Sequence, residues 1–175
     1  MGEGNFSLYP FRQKQYTLPV KGRTLIIGLG NTILSDDGAG IYASRHIAER
    51  CKGCADIDVV EASLGGVGLL DLMTGYDKVI IVDAVFTAKK QPGLIYHLDV
   101  EDLGDPSYSS GPHFLDVRTS IELGRRLGLA IPKKIEIFAI EITDNTTFSE
   151  TLTQEVEQAL PFLTEKVLES LKADS

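Results

Sequence analysis

The chain has 175 residues, enough for one domain of ordinary size and too few for two sizeable cores. With 43% hydrophobic and 24% charged residues it has the composition of a globular protein that needs neither disulfides nor a structural metal in order to fold. Its 17 basic and 25 acidic side chains leave a net charge of -8, which argues against nucleic acid or an anionic membrane as a partner, and no apolar run approaches the roughly 20 residues of a bilayer span.

Residues 1–22 show no sustained period and carry Pro10 and Pro19, so they read as an extension in front of a single domain at 23–175. The extension has no apolar secretory core, and Phe6 stands where a myristoylation signal wants Ser or Thr; the expected location is cytoplasmic. TLIIGLG (24–30) predicts a strand closed by a glycine turn, and 37–52 a helix with Ile41, Ala48 and Cys51 on one face. IDVVEAS (57–63) reads as a second strand and GVGLLDLM (66–73) as a short helix. DKVIIVDAV (77–85) is a third strand whose unbroken apolar character predicts burial on both faces. This strand–helix alternation implies a parallel sheet covered by helices. After the Pro92-Gly93 turn, 93–100 reads as a strand free to run antiparallel at an edge. The polar stretch 101–112 is a loop long enough to carry function, and Pro112 opens a helix to about 127. KKIEIFAIEI (133–142) is a further strand. The last helix starts with Thr151 or Thr153 as N-cap, repeats Leu152, Val156, Leu160, Leu163, Val167 and Leu171 at helical spacing, and meets a potential kink at Pro161.

Ligands in an open α/β sheet bind beyond the carboxyl ends of the strands, and there the sequence places Asp36 and Asp37, Asp83 and His113. Asp36 or Asp37 serves equally as a cap of the first helix. Asp83 lies within VIIVDAV, where an ionisable group is desolvated unless something pairs with it. His113 opens a helix, whose positive end keeps the ring neutral and able to bind metal. Two carboxylates and a neutral imidazole form a three-ligand set with open positions, the pattern of a catalytic rather than a structural site. The turn GLGNTILSDDG also suggests dinucleotide binding, but Ile33 occupies the third glycine position and Glu61 lies beyond the usual interval for a ribose-binding acid. The same turn resembles that of the peptidyl-tRNA hydrolases, with Thr32 in place of their proline and an acidic chain that disfavours tRNA. Cys51-Lys52-Gly53-Cys54 at a helix end is poorly placed for redox chemistry, and with His46 makes at most a partial zinc site.

Four segments in order, GLGNTILSDDGAG, LGGVGLLDLM, DKVIIVDAV and SGPHFLD, resemble the hydrogenase maturation endopeptidases, and the likeness extends over 23–171. The resemblance implies a three-layer α/β/α sandwich, phosphorylase/hydrolase-like, around a mixed, mostly parallel five-stranded sheet. It also implies an aspartyl or metal-dependent endopeptidase that removes the C-terminal extension of a nickel-loaded hydrogenase large-subunit precursor. Nickel is then supplied by the substrate, and the metal-contacting and catalytic positions fall on Asp37, Asp83 and His113; many relatives carry Glu where this chain has Asp37. Two other readings stay open at this level: a non-catalytic chaperone that binds nickel or the precursor, and a Rossmann-like nucleotide-binding module.

Overall fold

A computed structural model describes residues 22–63, 65–104, 108–109 and 112–173, with the backbone alone described for 104, 108–109 and 112–116. The predicted N-terminal extension lies outside the described residues except for Gly22. Strands β1 (Thr24–Leu29), β2 (Ile57–Ala62), β3 (Lys78–Thr87), β4 (Ile95–Leu98) and β6 (Lys134–Glu141) form one sheet in the order β2-β1-β3-β6-β4. The first four in that order run parallel, and β4 lies antiparallel to β6 at the edge, as the Pro92-Gly93 turn predicts. A two-residue strand β5 (Tyr108–Ser109), inside what reads as loop, pairs antiparallel with Phe86 and Thr87 at the end of β3.

Helices cover both faces, giving the three-layer α/β/α sandwich. Alternate residues of the central strands divide two cores. Leu25, Ile27, Val79, Ile81, Val85 and Ile137 pack with Leu69 and Met73 of α2 (Val67–Met73) and Val117 and Ile121 of α3 (Pro112–Arg126). Ile26, Ile80, Val82, Phe138 and Ile140 pack with Ile47 of α1 (Ala39–Arg50) and Val156, Leu160, Leu163 and Val167 of α4 (Gln154–Ala173). β3 is buried from Lys78 to Val85, which accounts for its unbroken apolar run. The inner face of α1 is Ile41, Ala43, Ser44 and Ile47, with Cys51 just beyond and Ala48 only half-buried. α4 runs continuously through Pro161, whose ring is exposed.

The approach of α1 to the sheet is unusually close. A Cβ on Gly40 would stand 2.3 Å from both the Leu29 and the Val82 carbonyl oxygens, and one on Gly28 would stand 2.3 Å from Ser44 Oγ and 2.5 Å from the Gly40 oxygen. These glycines let helix backbone rest on strand backbone where β1 and β3 meet. Gly40→Ala is expected to destabilise the fold by about 3 kcal/mol or more in urea unfolding, because two backbone oxygens must move. Gly53→Ala, at φ +88 with open space around it, should cost only about 1–2 kcal/mol, the strain of a left-handed residue.

Candidate functional site

The chain leaves β1 for β2 on one side and returns to β3 on the other, so the strand order reverses between β1 and β3. A crevice opens at the carboxyl end of such a switch point. In register, Val82 pairs with Gly28, which sets Asp83 one residue further on, level with the end of β1 and opposite Ala139 of β6. Asp83 falls on the same side of β3 as Val79, Ile81 and Val85, the side covered by α2 and α3.

Asp83 is 1% exposed. Its Oδ1 accepts a 2.8 Å hydrogen bond from the Ala84 amide, while Oδ2 has no hydrogen-bond partner among the described residues. Burial pushes its pKa up to about 8; the Ala84 amide opposes the rise and the negative charge of Asp37 adds to it. The first two predicted site residues are therefore within electrostatic reach of each other. Asp37 is half-buried in the 3-10 turn Ser35–Gly38 between β1 and α1. Its amide donates to the Leu34 carbonyl at 3.1 Å and its carbonyl accepts the Asn31 amide at 3.3 Å.

His113 is the second residue of α3, and its ring lies outside the described residues. Its backbone is tethered close by. It lies four positions after Ser109, which pairs with Phe86 three positions beyond Asp83, so the His113 Cα stays within about 14 Å of the Ser109 Cα at the end of β3. Among the described residues no three His, Cys, Asp or Glu side chains gather as metal ligands, which includes the combination of His46, Cys51 and Cys54.

Several expectations change here. Neither Asp36 nor Asp37 caps α1, which begins after the 3-10 turn with Gly38 at its N-cap and no side-chain bond. Asp36 instead turns to Thr153, the residue before α4. Thr153 does occupy the predicted capping position, but its hydroxyl donates to Asp36. Glu61, considered as a ribose ligand, is held by Arg45 in a bidentate pair at 2.9 Å. Cys51 ends α1 as predicted, and its thiol pKa is raised chiefly by burial, next by Cys54, against the lowering effect of Arg50. Two buried carboxylates were missed, Glu136 and Glu141. Their signal, acids inside the apolar strand KKIEIFAIEI, is the one that exposed Asp83.

Comparison with known proteins agrees with this layout. The model of a family described as hydrogenase maturation protease matches residues 41–170. The hydrogenase 2 maturation protease of Escherichia coli (strain K12) is 27% identical over 153 residues, 86% of this chain and 91% of its own length. The NiFe hydrogenase maturation protease HybD from Thermococcus kodakarensis superposes with a TM-score of 0.68 at 26% identity, covering 85% of this chain and 99% of that one. The hydrogenase maturating endopeptidase HybD from E. coli shares the fold with a TM-score of 0.73 at 23% identity, over 87% of this chain and 94% of that one.

The state of Asp83 makes stability depend on pH. Its folded pKa of about 8 stands above the unfolded value of roughly 3.9, so between them the folded chain binds the extra proton. This contribution is complete below roughly pH 4 and is lost as the pH rises through about 8. Asp83→Asn should abolish that fall, and urea unfolding at pH 8.5 should then find the variant more stable than the wild type by roughly a few kcal/mol, with a smaller gap at pH 5.

Proposed function

The chain belongs to the hydrogenase maturation protease family, and we propose that it removes the C-terminal extension of a nickel-loaded hydrogenase large-subunit precursor, recognising the ion the precursor carries. It is an endopeptidase of hydrogenase maturation; the nickel, the precursor and the position of the cut belong to this proposal. One observation carries it. The Oδ2 atom of Asp83, buried at the switch-point crevice without a hydrogen-bond partner among the described residues, suits a cation that arrives with the substrate.

In this reading Asp37, Asp83 and His113 complete the coordination of the substrate's nickel. Carboxylate oxygens and an imidazole suit a borderline metal, with softer ligands left to the precursor's own cysteines. Asp83, held in a strand with neighbours on both sides, supplies a rigid oxygen; Asp37 approaches from the turn and His113 from the start of α3. Gripping the ion also fixes the scissile peptide beside it, so that recognition tests metal loading. Asp37 is half-buried where Asp83 is almost wholly enclosed, which makes Asp37 the carboxylate that water can reach. It takes a proton from the attacking water as the oxygen adds to the carbonyl carbon; the C–N bond then breaks as Asp37 passes that proton to the leaving amine. The ion held by Asp37, Asp83 and His113 would supply Lewis-acid polarisation of the carbonyl. A cysteine nucleophile is disfavoured because Cys51 and Cys54 follow the far end of α1, about 18 Å along the helix from its start.

No helix among the described residues is long and apolar enough to cross a membrane. Both thiols are free, one buried and one exposed, which fits a reducing cytoplasm as the place of reaction.

Incubation with nickel-loaded precursor, followed by intact mass, should show loss of one defined C-terminal peptide, and nickel-free precursor should remain whole. Tight binding without a change in mass would instead identify a chaperone. Asp37→Asn, Asp83→Asn and His113→Ala should each slow processing by at least about 10²-fold while retaining cooperative unfolding. Normal processing by one of them would remove that residue from the site.

A further inference from the structure

The turn that carries Asp37 is bound to a segment more than a hundred residues away. Its Ser35 amide donates to the Ser149 carbonyl at 2.8 Å, and the Ser149 amide donates to the Ile33 carbonyl at 3.1 Å. Ser35 Oγ donates to the Thr151 carbonyl at 3.2 Å, and the Tyr42 hydroxyl to the Glu150 carbonyl at 2.6 Å. Next to Asp37, Asp36 is fully buried and spends both carboxylate oxygens on one residue. Oδ1 accepts the Thr153 amide at 2.7 Å and Oδ2 accepts the Thr153 hydroxyl at 2.9 Å. Thr153 in turn starts α4, since its carbonyl accepts the Glu157 amide at 2.9 Å. The acid therefore also sits at the positive end of a 20-residue helix.

The turn does not hold this shape by local preference alone. Ser35 has a φ of 47, a left-handed conformation that is costly for a residue with a Cβ and persists where surrounding bonds over-determine it. Asp36 lies at its centre, and the Ala39 amide that opens α1 donates to the Asp36 carbonyl. Releasing the Asp36 carboxylate would free the turn to relax, and Asp37 would move with it.

We propose that Asp36 is a positioning residue: by clamping the turn to the first residues of α4 it holds Asp37 at the crevice beside Asp83, without touching the substrate itself. This rests on the reading that Asp37 contacts the precursor's nickel. A displacement of about 1 Å at such a contact is enough to cost roughly 10²-fold in rate.

The test uses the full-length chain and nickel-loaded precursor. Asp36→Ala removes both acceptors and should lower kcat by about 10²-fold while KM stays within about threefold, because the precursor still docks. Asp36→Asn keeps an acceptor for the Thr153 amide and offers a donor to its hydroxyl, so it should restore kcat to within about tenfold of the wild type. Should Asp36→Ala fail to fold, Thr153→Val removes only the hydroxyl bond and should lower kcat by about tenfold. In parallel, the backbone amide resonances of Asp37 and Gly38 should shift in Asp36→Ala and return in Asp36→Asn. An Asp36→Ala protein with kcat within threefold of the wild type, or with unmoved Asp37 and Gly38 resonances, overturns the proposal. So does an equal loss in Asp36→Asn. If the wild-type chain leaves loaded precursor uncut, it is the protease reading that fails, and the amide resonances still decide whether Asp36 holds the turn.

Discussion

Backbone-to-backbone contact between α1 and the two strands beneath it sets the geometry of the whole rim. Gly40 allows the first turn of α1 to settle against the Leu29 and Val82 carbonyls, and Gly28 makes room for Ser44 on the next turn. A helix so close cannot slide along the sheet without driving a Cα into a carbonyl, so its entry point is fixed relative to β1 and β3. The seven residues between Gly30 and Gly38 must then turn back over the carboxyl end of β1. That path brings the Asp37 charge to bear on Asp83.

The same constraint reaches α4, which is anchored at both ends by acids from other elements. At its start the Asp36 carboxylate holds Thr153. At its other end Glu136 of β6 accepts the Ser170 hydroxyl at 2.6 Å and pairs with Lys78 of β3 at 2.5 Å, while Lys78 also donates to Ser170 Oγ at 2.9 Å. His97, stacked on Phe138 with centroids 4.4 Å apart, adds a 3.1 Å contact to Glu136 from the edge strand. Helix, central strands and edge strand are thus joined at the end of the sheet remote from the crevice. The apolar stripe of α4 supplies burial; the two polar anchors fix its axial position.

What could be read from the sequence was whatever depends on local periodicity. Alternation and length gave away β1, β2, β3, β4 and β6, the four helices, and the antiparallel edge after Pro92-Gly93, because each element buries a face whose pattern is written in consecutive residues. Asp83 was legible for the converse reason, as a charge in a run that burial makes apolar. The fate of Asp36 was not, since a carboxylate just before a helix looks like a local cap, and the partner that captures it lies 117 residues away. β5 was hidden as well: two residues carry no period, and they are strand only because the end of β3 offers them a ladder. For Glu136 and Glu141 the cue was present, but nothing along the strand reveals whether a buried acid has found partners.

That difference separates structural acids from a candidate functional one. Glu141 is fully buried at the end of β6, and burial alone would raise its pKa. It nevertheless lies below the usual carboxylate range, because the Tyr96 hydroxyl at 2.6 Å, the Thr87 hydroxyl at 2.7 Å and the amides of Gln91 and Lys90 all donate to it. Glu136 is likewise lowered against its burial, by Lys78 and Ser170 and by the charge of Lys134. Both acids are satisfied within the fold and serve to join strand to turn or strand to helix. Asp83, no more exposed than Glu136, has a single amide, an opposing negative charge and one bare oxygen among the described residues. The sheet has the means to pair buried acids, as it does twice, so an Asp83 under-satisfied among the described residues at the switch point is a cost without a structural return there. A cation brought to that oxygen by the substrate would remove the cost only when the substrate is loaded, which is how a buried carboxylate can report on the state of its partner.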